Sequence, residues 1–373
     1  MSHVALIMAG GTGGHVIPGL SIAEELVRRG FSIVWLGTTT GIENQLVAKA
    51  GYPIARIHFS AVRGKGLFTW LLLPFTLLRG FWQALQIMRR VKPALVVGMG
   101  GYVTFPGGMM AALLGKRVVV HESNAVAGLA NRVLALVADV ILVGFPDAFE
   151  KPIKSVLPQF LPKPKKVIWS GNPVRADIAA IAAPLQRYAT RNGPLRLLVV
   201  GGSLGAQGLN KLVVEALAAL PVAARPVVVH QSGAKLFDEL RADYGRLGVD
   251  AEVLPFIDNM ADRYTWCDVL LCRAGALTVS EVAAAGVAAI FVPLPYAVED
   301  EQSHNARFLA DRGAARIIQQ KETSPQQLAA LLSRLQRAEL EAMASAARSM
   351  GKPDATMQCV AMCIDGKVDD HAT

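Results

Sequence analysis

Short unbroken apolar runs alternate along this chain with stretches in which apolar residues recur every three or four positions. Val4 to Met8 is such a run, and beyond it Ile17, Leu20, Ile22, Ala23 and Leu26 fall at helical spacing. Between them stand Ala9-Gly10-Gly11-Thr12-Gly13-Gly14-His15, so the pattern predicts strand, glycine loop, helix. Phe31 to Leu36 reads as the next strand, Glu43 to Ala50 as a helix, and Ala94 to Val97 as a strand feeding Gly98-Met99-Gly100-Gly101-Tyr102. Val118 to His121 and Val140 to Val143 continue the series. Apolar strands with short links to helices predict a mostly parallel, doubly wound α/β sheet, whose ligand sits outside the carboxyl ends of the strands.

The opening recurs about half a chain later. Leu195 to Val200 ends in Gly201-Gly202-Ser203-Leu204-Gly205, and a helical pattern follows through Leu209, Leu212 and Leu217. Strands Val227 to His230, Val253 to Phe256, Val269 to Cys272 and Ala289 to Val292 complete a second set. Two Rossmann-like domains in tandem are therefore expected, over 1–174 and 175–350, with Gly171-Asn172-Pro173-Val174-Arg175 as the hinge. Pro146 to Lys166, rich in proline and lysine, reads as an exposed loop. A closing helix within 353–368 could pack back on the first domain or on the second.

Composition narrows the class. With 52% hydrophobic and 18% charged residues and a mean hydropathy of +0.36, the chain can fill two cores and is not dominated by disorder. No apolar run reaches the roughly 20 residues needed to span a bilayer; Gly66 to Leu78 is shorter and broken by Pro74. Met1 to Ala9 lacks the basic start and long apolar core of a secretory signal, and Cys267, Cys272, Cys359 and Cys363 form no disulfide framework, so a reducing cytoplasm is expected. The net charge of +9 comes without a nucleic-acid-binding motif.

A glycine loop opening a helix offers unpaired backbone N–H groups and the positive end of the helix dipole, which suits a phosphate or diphosphate. Gly10 to His15 is not a Walker loop, since no Lys-Ser/Thr follows. Val16 stands where a dinucleotide fingerprint has its third glycine, and no acid follows the strand ending at Leu36, so nicotinamide dinucleotides are not expected. No Asp-x-Asp pair is present to chelate a metal on a diphosphate, and the cysteines lack metal spacing with histidines; no metal and no cofactor are expected.

Beyond the glycine loops stand Arg63-Gly64-Lys65-Gly66, His121-Glu122-x-Asn124, His230-Gln231-Ser232-Gly233, Arg273-x-Gly275-Ala276-Leu277-Thr278-Val279-Ser280-Glu281 and Gln302-x-x-Asn305-Ala306. In this order, with Gly171 to Arg175 and Gly201 to Ala206, they make nearly the whole chain resemble the lipid II-forming glycosyltransferases of the GT-B fold. The resemblance implies two Rossmann-like domains facing a cleft. It also implies inverting transfer of N-acetylglucosamine from UDP-N-acetylglucosamine to the 4-hydroxyl of the lipid-linked muramoyl-pentapeptide (lipid I). Another GT-B transferase with a lipid acceptor, or a UDP-N-acetylglucosamine epimerase, is the alternative, and a non-catalytic two-domain binding protein is the rival of another class.

The resemblance assigns the donor to the second domain and the lipid acceptor to the first. Donor contacts fall on Thr12, Gly13, Gly14, Asn124, Arg175, Ser203, Ile257, Ala276, Leu277, Thr278, Val279, Ser280, Glu281 and Gln302. Glu281 would take the ribose hydroxyls, the Ile257 backbone the uracil, and Asn124 and Gln302 the sugar. Gly10, Gly11, Gly100, Gly101 and Tyr102 would meet the acceptor diphosphate. Inversion needs a base for the acceptor hydroxyl, and His15 is the first choice with Glu122 the rival. Ser203 and Arg175 would hold the departing diphosphate, a guanidinium fork being suited to it. The chain departs from the family pattern at Glu301, where histidine or glutamine is usual beside Gln302, and in the length of Pro146 to Lys166.

Phe68, Trp70, Leu72, Phe75, Leu78, Phe81 and Trp82 follow Arg63/Lys65 and flank Arg79, with Arg89, Arg90 and Lys92 beyond. Apolar residues rimmed by basic ones suit docking on an anionic membrane surface without crossing it; a helix buried in the first domain is the other reading. The resemblance places the chain at the cytoplasmic face of the bacterial inner membrane, with other cell-wall and division proteins as partners.

Overall fold

The computed structural model describes residues 3–59, 72–151, 164, 166–202, 205–295 and 300–365. Two compact units divide the chain, 1–175 with 354–373, and 176–353.

The first unit runs β1 (Val4–Ala9), α1 (Gly13–Arg28), β2 (Ser32–Thr38), α2 (Glu43–Lys49), β3 (Ile54–Ile57), α3 (Leu73–Val91), β4 (Leu95–Gly100), α4 (Thr104–Leu113), β5 (Arg117–Glu122), α5 (Leu129–Leu134), β6 (Val140–Val143) and β7 (Val167–Trp169). Its seven strands are all parallel in the order β3-β2-β1-β4-β5-β6-β7. The order reverses between β1 and β4, and their pairing slips by one residue at Met8/Ala9, where the two glycine loops leave the sheet.

The second unit runs α6 (Ala176–Ala179), α7 (Pro184–Tyr188), β8 (Arg196–Val200), α8 (Gln207–Ala218), β9 (Val227–Gln231), α9 (Phe237–Arg246), β10 (Glu252–Leu254), α10 (Met260–Trp266), β11 (Val269–Cys272), α11 (Ala276–Ala285), β12 (Ala289–Phe291), α12 (Glu301–Ala310), β13 (Arg316–Ile317), α13 (Pro325–Ser333) and α14 (Arg337–Ser349). Its six parallel strands follow β10-β9-β8-β11-β12-β13 and reverse between β8 and β11. The loops after those two strands are Gly201–Gly205 and Arg273–Gly275. Both sheets are covered on each face, which is why their strands read as unbroken apolar runs.

The closing helix α15 (Ala355–Asp365) lies in the first unit. Cys359, Val360, Met362 and Cys363 join Val16, Ile22, Ala23 and Leu26 in one core, and Arg117 donates from Nε to the Cys363 carbonyl at 2.8 Å and from Nη2 to that of Met362 at 3.1 Å. The strands β3, β7 and β13, which have no counterpart in the sequence reading, are the short edge strands. The start of the expected loop from Pro146 is only partly exposed: Asp147 and Glu150 face solvent, but Ala148 and Phe149 are buried with Ile141 and Val143, and 152–163 lies outside the described residues.

Candidate functional site

In the first unit two glycine loops touch backbone to backbone. A Cβ on Gly101 would stand 2.3 Å from the Gly10 carbonyl oxygen, and one on Gly100 would stand 2.7 Å from Cδ2 of His15; both glycines have positive φ. Only glycine permits this approach. The half-buried His15 imidazole thus lies against Gly100, in the first turn of α1, with its Nδ1 3.4 Å from the Thr12 hydroxyl. Burial lowers its pKa below 6.5, while the charge of Glu122 and the Gly10 backbone act to raise it. A neutral imidazole at pH 7 is a proton acceptor. Tyr102 lies beside this loop, its ring carbon 3.4 Å from where a Gly11 Cβ would be.

Glu122 sits at the end of β5 with every neighbour donating to it. Its Oε1 accepts from the Asn124 backbone N–H at 2.8 Å and side-chain amide at 3.3 Å; its Oε2 accepts from the Gly128 N–H at 3.0 Å and the Asn131 amide at 2.9 Å. Only 3% of the residue is exposed. A carboxylate so engaged shapes the 123–131 loop, and that geometry weighs against Glu122 as the base. His121 beside it is fully buried, its Nε2 donating to the Gly171 carbonyl at 3.1 Å, and burial pushes its pKa down to about 4. It is a neutral strut.

Glu43, which the sequence reading placed only in a helix, organises the first loop from below. Fully buried, it accepts from the Thr38 N–H at 2.8 Å, the Thr38 hydroxyl at 2.7 Å and the Gly11 N–H at 3.3 Å. Gly10, Gly37 and Gly41 crowd its side chain where any Cβ would intrude.

In the second unit the loop after β8 turns through Gly202 and Gly205, both at positive φ, with the Gly205 N–H donating to the Gly202 carbonyl at 3.0 Å. A Cβ on Gly205 would strike the Ser232 carbonyl oxygen at 2.3 Å. Ser203 lies outside the described residues. Helix α8 follows, its first-turn N–H groups turned toward the carboxyl edge of the sheet. Beneath the loop His230 Nε2 donates to Asn210 Oδ1 at 3.2 Å and its Nδ1 accepts from the Tyr244 hydroxyl at 2.8 Å, while the Asn210 amide donates to the Ser232 carbonyl at 3.1 Å. Burial pushes His230 down to about 3, so it too stays neutral.

Gly275 caps the start of helix α11, in which Ala276, Leu277, Thr278 and Ser280 are half-buried and Val279 is buried. Glu281 is buried on its second turn, where the Tyr264 hydroxyl donates to Oε2 at 3.1 Å. Asn305 fixes the loop before this helix by donating to the Ala274 carbonyl at 3.2 Å, and the Gln302 amide oxygen accepts from the Leu294 N–H at 2.9 Å. Glu301 is the first residue of α12. The Ile257 N–H donates to Gln231 Oε1 at 3.0 Å. The structure thus gathers His15, Thr12, Gly100, Gly101, Tyr102, Glu122 and Asn124 at one edge of the first sheet, and Gly201, Gly202, Gly205, Ile257 and 276–281 at the carboxyl edge of the second. Arg175 is the last residue of the first unit's long segment and half-buried.

Helix α3 is two-faced. Gly80, Ala84, Ile87 and Met88 are buried against the domain, while Phe75, Leu78 and Trp82 are 70%, 66% and 58% exposed, with Leu72 also exposed. Phe81 departs from the expected outward patch: it is half-buried, its ring 5.7 Å from that of Phe105. Phe68 and Trp70 lie outside the described residues. Among the described residues no helix is long and apolar enough to cross a membrane, and no group of three or more His, Cys, Asp or Glu side chains could hold a metal ion.

Two parallel α/β units, each with a glycine loop at its topological switch, form the architecture, and both halves match models of a glycosyltransferase family: the glycosyltransferase family 28 N-terminal domain over 5–143 and its C-terminal domain over 196–359. The chain belongs to glycosyltransferase family 28, and its fold is GT-B. It is 54% identical over 367 residues, 98% of this chain and 96% of the relative, to the UDP-N-acetylglucosamine–N-acetylmuramyl-(pentapeptide) pyrophosphoryl-undecaprenol N-acetylglucosamine transferase of Ralstonia nicotianae. The protein of that name from Cupriavidus metallidurans is 55% identical over 97% of this chain and 98% of its own length. Among solved structures, MurG of Acinetobacter baumannii superposes with a TM-score of 0.81 at 40% identity, covering 97% of this chain and 99% of that one.

Proposed function

We propose that this chain transfers N-acetylglucosamine from UDP-N-acetylglucosamine, with inversion, to the 4-hydroxyl of the muramoyl sugar of lipid I, forming lipid II for peptidoglycan. The observation that carries this is the 54% identity, along 98% of the chain, to a transferase of that name. An epimerase or another GT-B transferase would share the fold without that likeness through both domains.

In this reading the UDP diphosphate meets the N–H groups of the 201–205 loop and the start of α8, with Ser203 and Arg175 beside it. The ribose hydroxyls donate to Glu281, the uracil meets the Ile257 backbone, the N-terminus of α11 faces the donor, and Asn124 and Gln302 bond the sugar. Thr12, Gly13 and Gly14 reach the donor from the first loop, while Gly10, Gly11, Gly100, Gly101 and Tyr102 hold the acceptor diphosphate. The acceptor hydroxyl gives its proton to His15 as its oxygen bonds the sugar C1. The C1–O bond to UDP breaks, and the electron pair leaves on the diphosphate. Helix dipole and Arg175 neutralise that charge in place of a metal ion.

Phe75, Leu78 and Trp82, rimmed by Arg79, Arg89, Arg90 and Lys92, would seat the enzyme on the anionic cytoplasmic face of the inner membrane, where lipid I and other cell-wall and division proteins are met. The test is transfer of labelled N-acetylglucosamine from its UDP donor to a lipid I analogue in EDTA. Product supports donor, acceptor and metal independence together. Activity only after magnesium is restored removes the metal-free step, and no product under either condition removes the acceptor assignment.

A further inference from the structure

The second unit holds a buried amide whose two ends reach two different loops. Gln231 is the last residue of β9, and β9 lies between β8 and β10 in the sheet. Gly202, in the loop after β8, and Ile257, beyond β10, therefore flank its side chain. Its Nε2 donates to the Gly202 carbonyl at 3.0 Å, and its Oε1 accepts from the Ile257 N–H at 3.0 Å. The residue is 3% exposed. A side chain with one donor end and one acceptor end, matched in length to the gap, is what this bridge requires. Glutamate lacks the donor, and methionine has neither group. The Gly202 carbonyl is also the acceptor that closes the loop's own turn from Gly205, so the amide bears on the residue that sets the loop's shape.

We propose that Gln231 is a positioning residue that couples recognition of the nucleobase to recognition of the diphosphate in the UDP-sugar. The inference rests on the proposed donor site, in which the 201–205 loop takes the diphosphate and Ile257 the uracil. The amide bridges the two loops and sets the spacing between them. A ligand bearing both groups gains from correct spacing, whereas uridine, which fills the base and ribose sites but lacks the diphosphate, does not.

The experiment measures dissociation constants of uridine and UDP by calorimetry for the wild type, Gln231→Met and Gln231→Glu, with thermal unfolding of the ligand-free proteins alongside. In the wild type the ratio Kd(uridine)/Kd(UDP) reports what the diphosphate adds. Loss of two buried hydrogen bonds is expected to cut that ratio about tenfold in Gln231→Met. Gln231→Glu, which keeps an acceptor for Ile257 but none of the donation to Gly202, should cut it as well, so the proposal can be tested even if the methionine variant does not fold. A purely structural role would weaken both ligands by one factor, or lower only the melting temperature, and leave the ratio unchanged; either result overturns the proposal. If the wild type itself binds no UDP, it is the donor-site reading that fails, whereas wild-type binding with an unmoved ratio defeats only the role of Gln231.

Discussion

Replacing Glu122 by glutamine separates a structural carboxylate from a proton acceptor. The four donors at its oxygens, from Asn124, Gly128 and Asn131, are arranged two to each oxygen. In the Glu122→Gln variant one oxygen becomes an NH2 group that must face two of those donors, so two hydrogen bonds to a carboxylate are lost at about 1.5 kcal/mol each, or about 3 kcal/mol together. For a unit of roughly 200 residues that lowers the melting temperature by about 6–12 °C. The assays are thermal unfolding and the EDTA transfer reaction, run at a temperature where the variant is fully folded. Turnover there is expected within about tenfold of wild type, because the base is elsewhere. An unmoved melting temperature with turnover down a hundredfold or more would refute this reasoning and make Glu122 the base.

His15→Ala should lower turnover by about 10²–10⁴-fold with UDP affinity within a few-fold; the reverse split would remove the base assignment. The His15 pKa is depressed, so its neutral, basic form persists below pH 6.5 and the acid limb of the turnover profile should lie below that value; a limb above it contradicts the burial argument. Phe75→Glu with Trp82→Glu should abolish binding to vesicles of anionic lipid while leaving the melting temperature within about 2 °C, since both side chains are mostly exposed; lost stability with unchanged vesicle binding would make the segment core. Tyr264→Phe removes the hydroxyl that donates to Glu281, and the donor KM should rise about fivefold with kcat held; equal binding of UDP and its 2′,3′-dideoxy analogue by the wild type would show that Glu281 does not meet the ribose.

The two sheets were legible because parallel strands buried on both faces leave runs such as Val4 to Met8 and Val269 to Cys272, each followed closely by glycine. The run of β3 is interrupted by Arg56, β7 spans only three residues behind Lys165 and Lys166, and β13, with two, has no periodicity at all. Of the site, the glycine loops and His15 announce themselves by local spacing. Gln231, Glu43 and Tyr264 do not, because each acts on a segment brought near by strand order or helix packing: Gly202 is 29 positions from Gln231, and Gly11 is 32 from Glu43. Glu122 shows the converse. Its motif drew attention to a carboxylate, and only the four donors around it revealed what the carboxylate is for.

The seating of α15 on the first unit bears on how the molecule is made. Residues 355–365 emerge from the ribosome after the whole of 176–353, yet Cys359, Val360, Met362 and Cys363 complete the core around α1. Until then the apolar face of α1 lacks part of its cover, so the earliest-made unit is the last to be finished. Emergence of α15, rather than synthesis of the first sheet, closes that core.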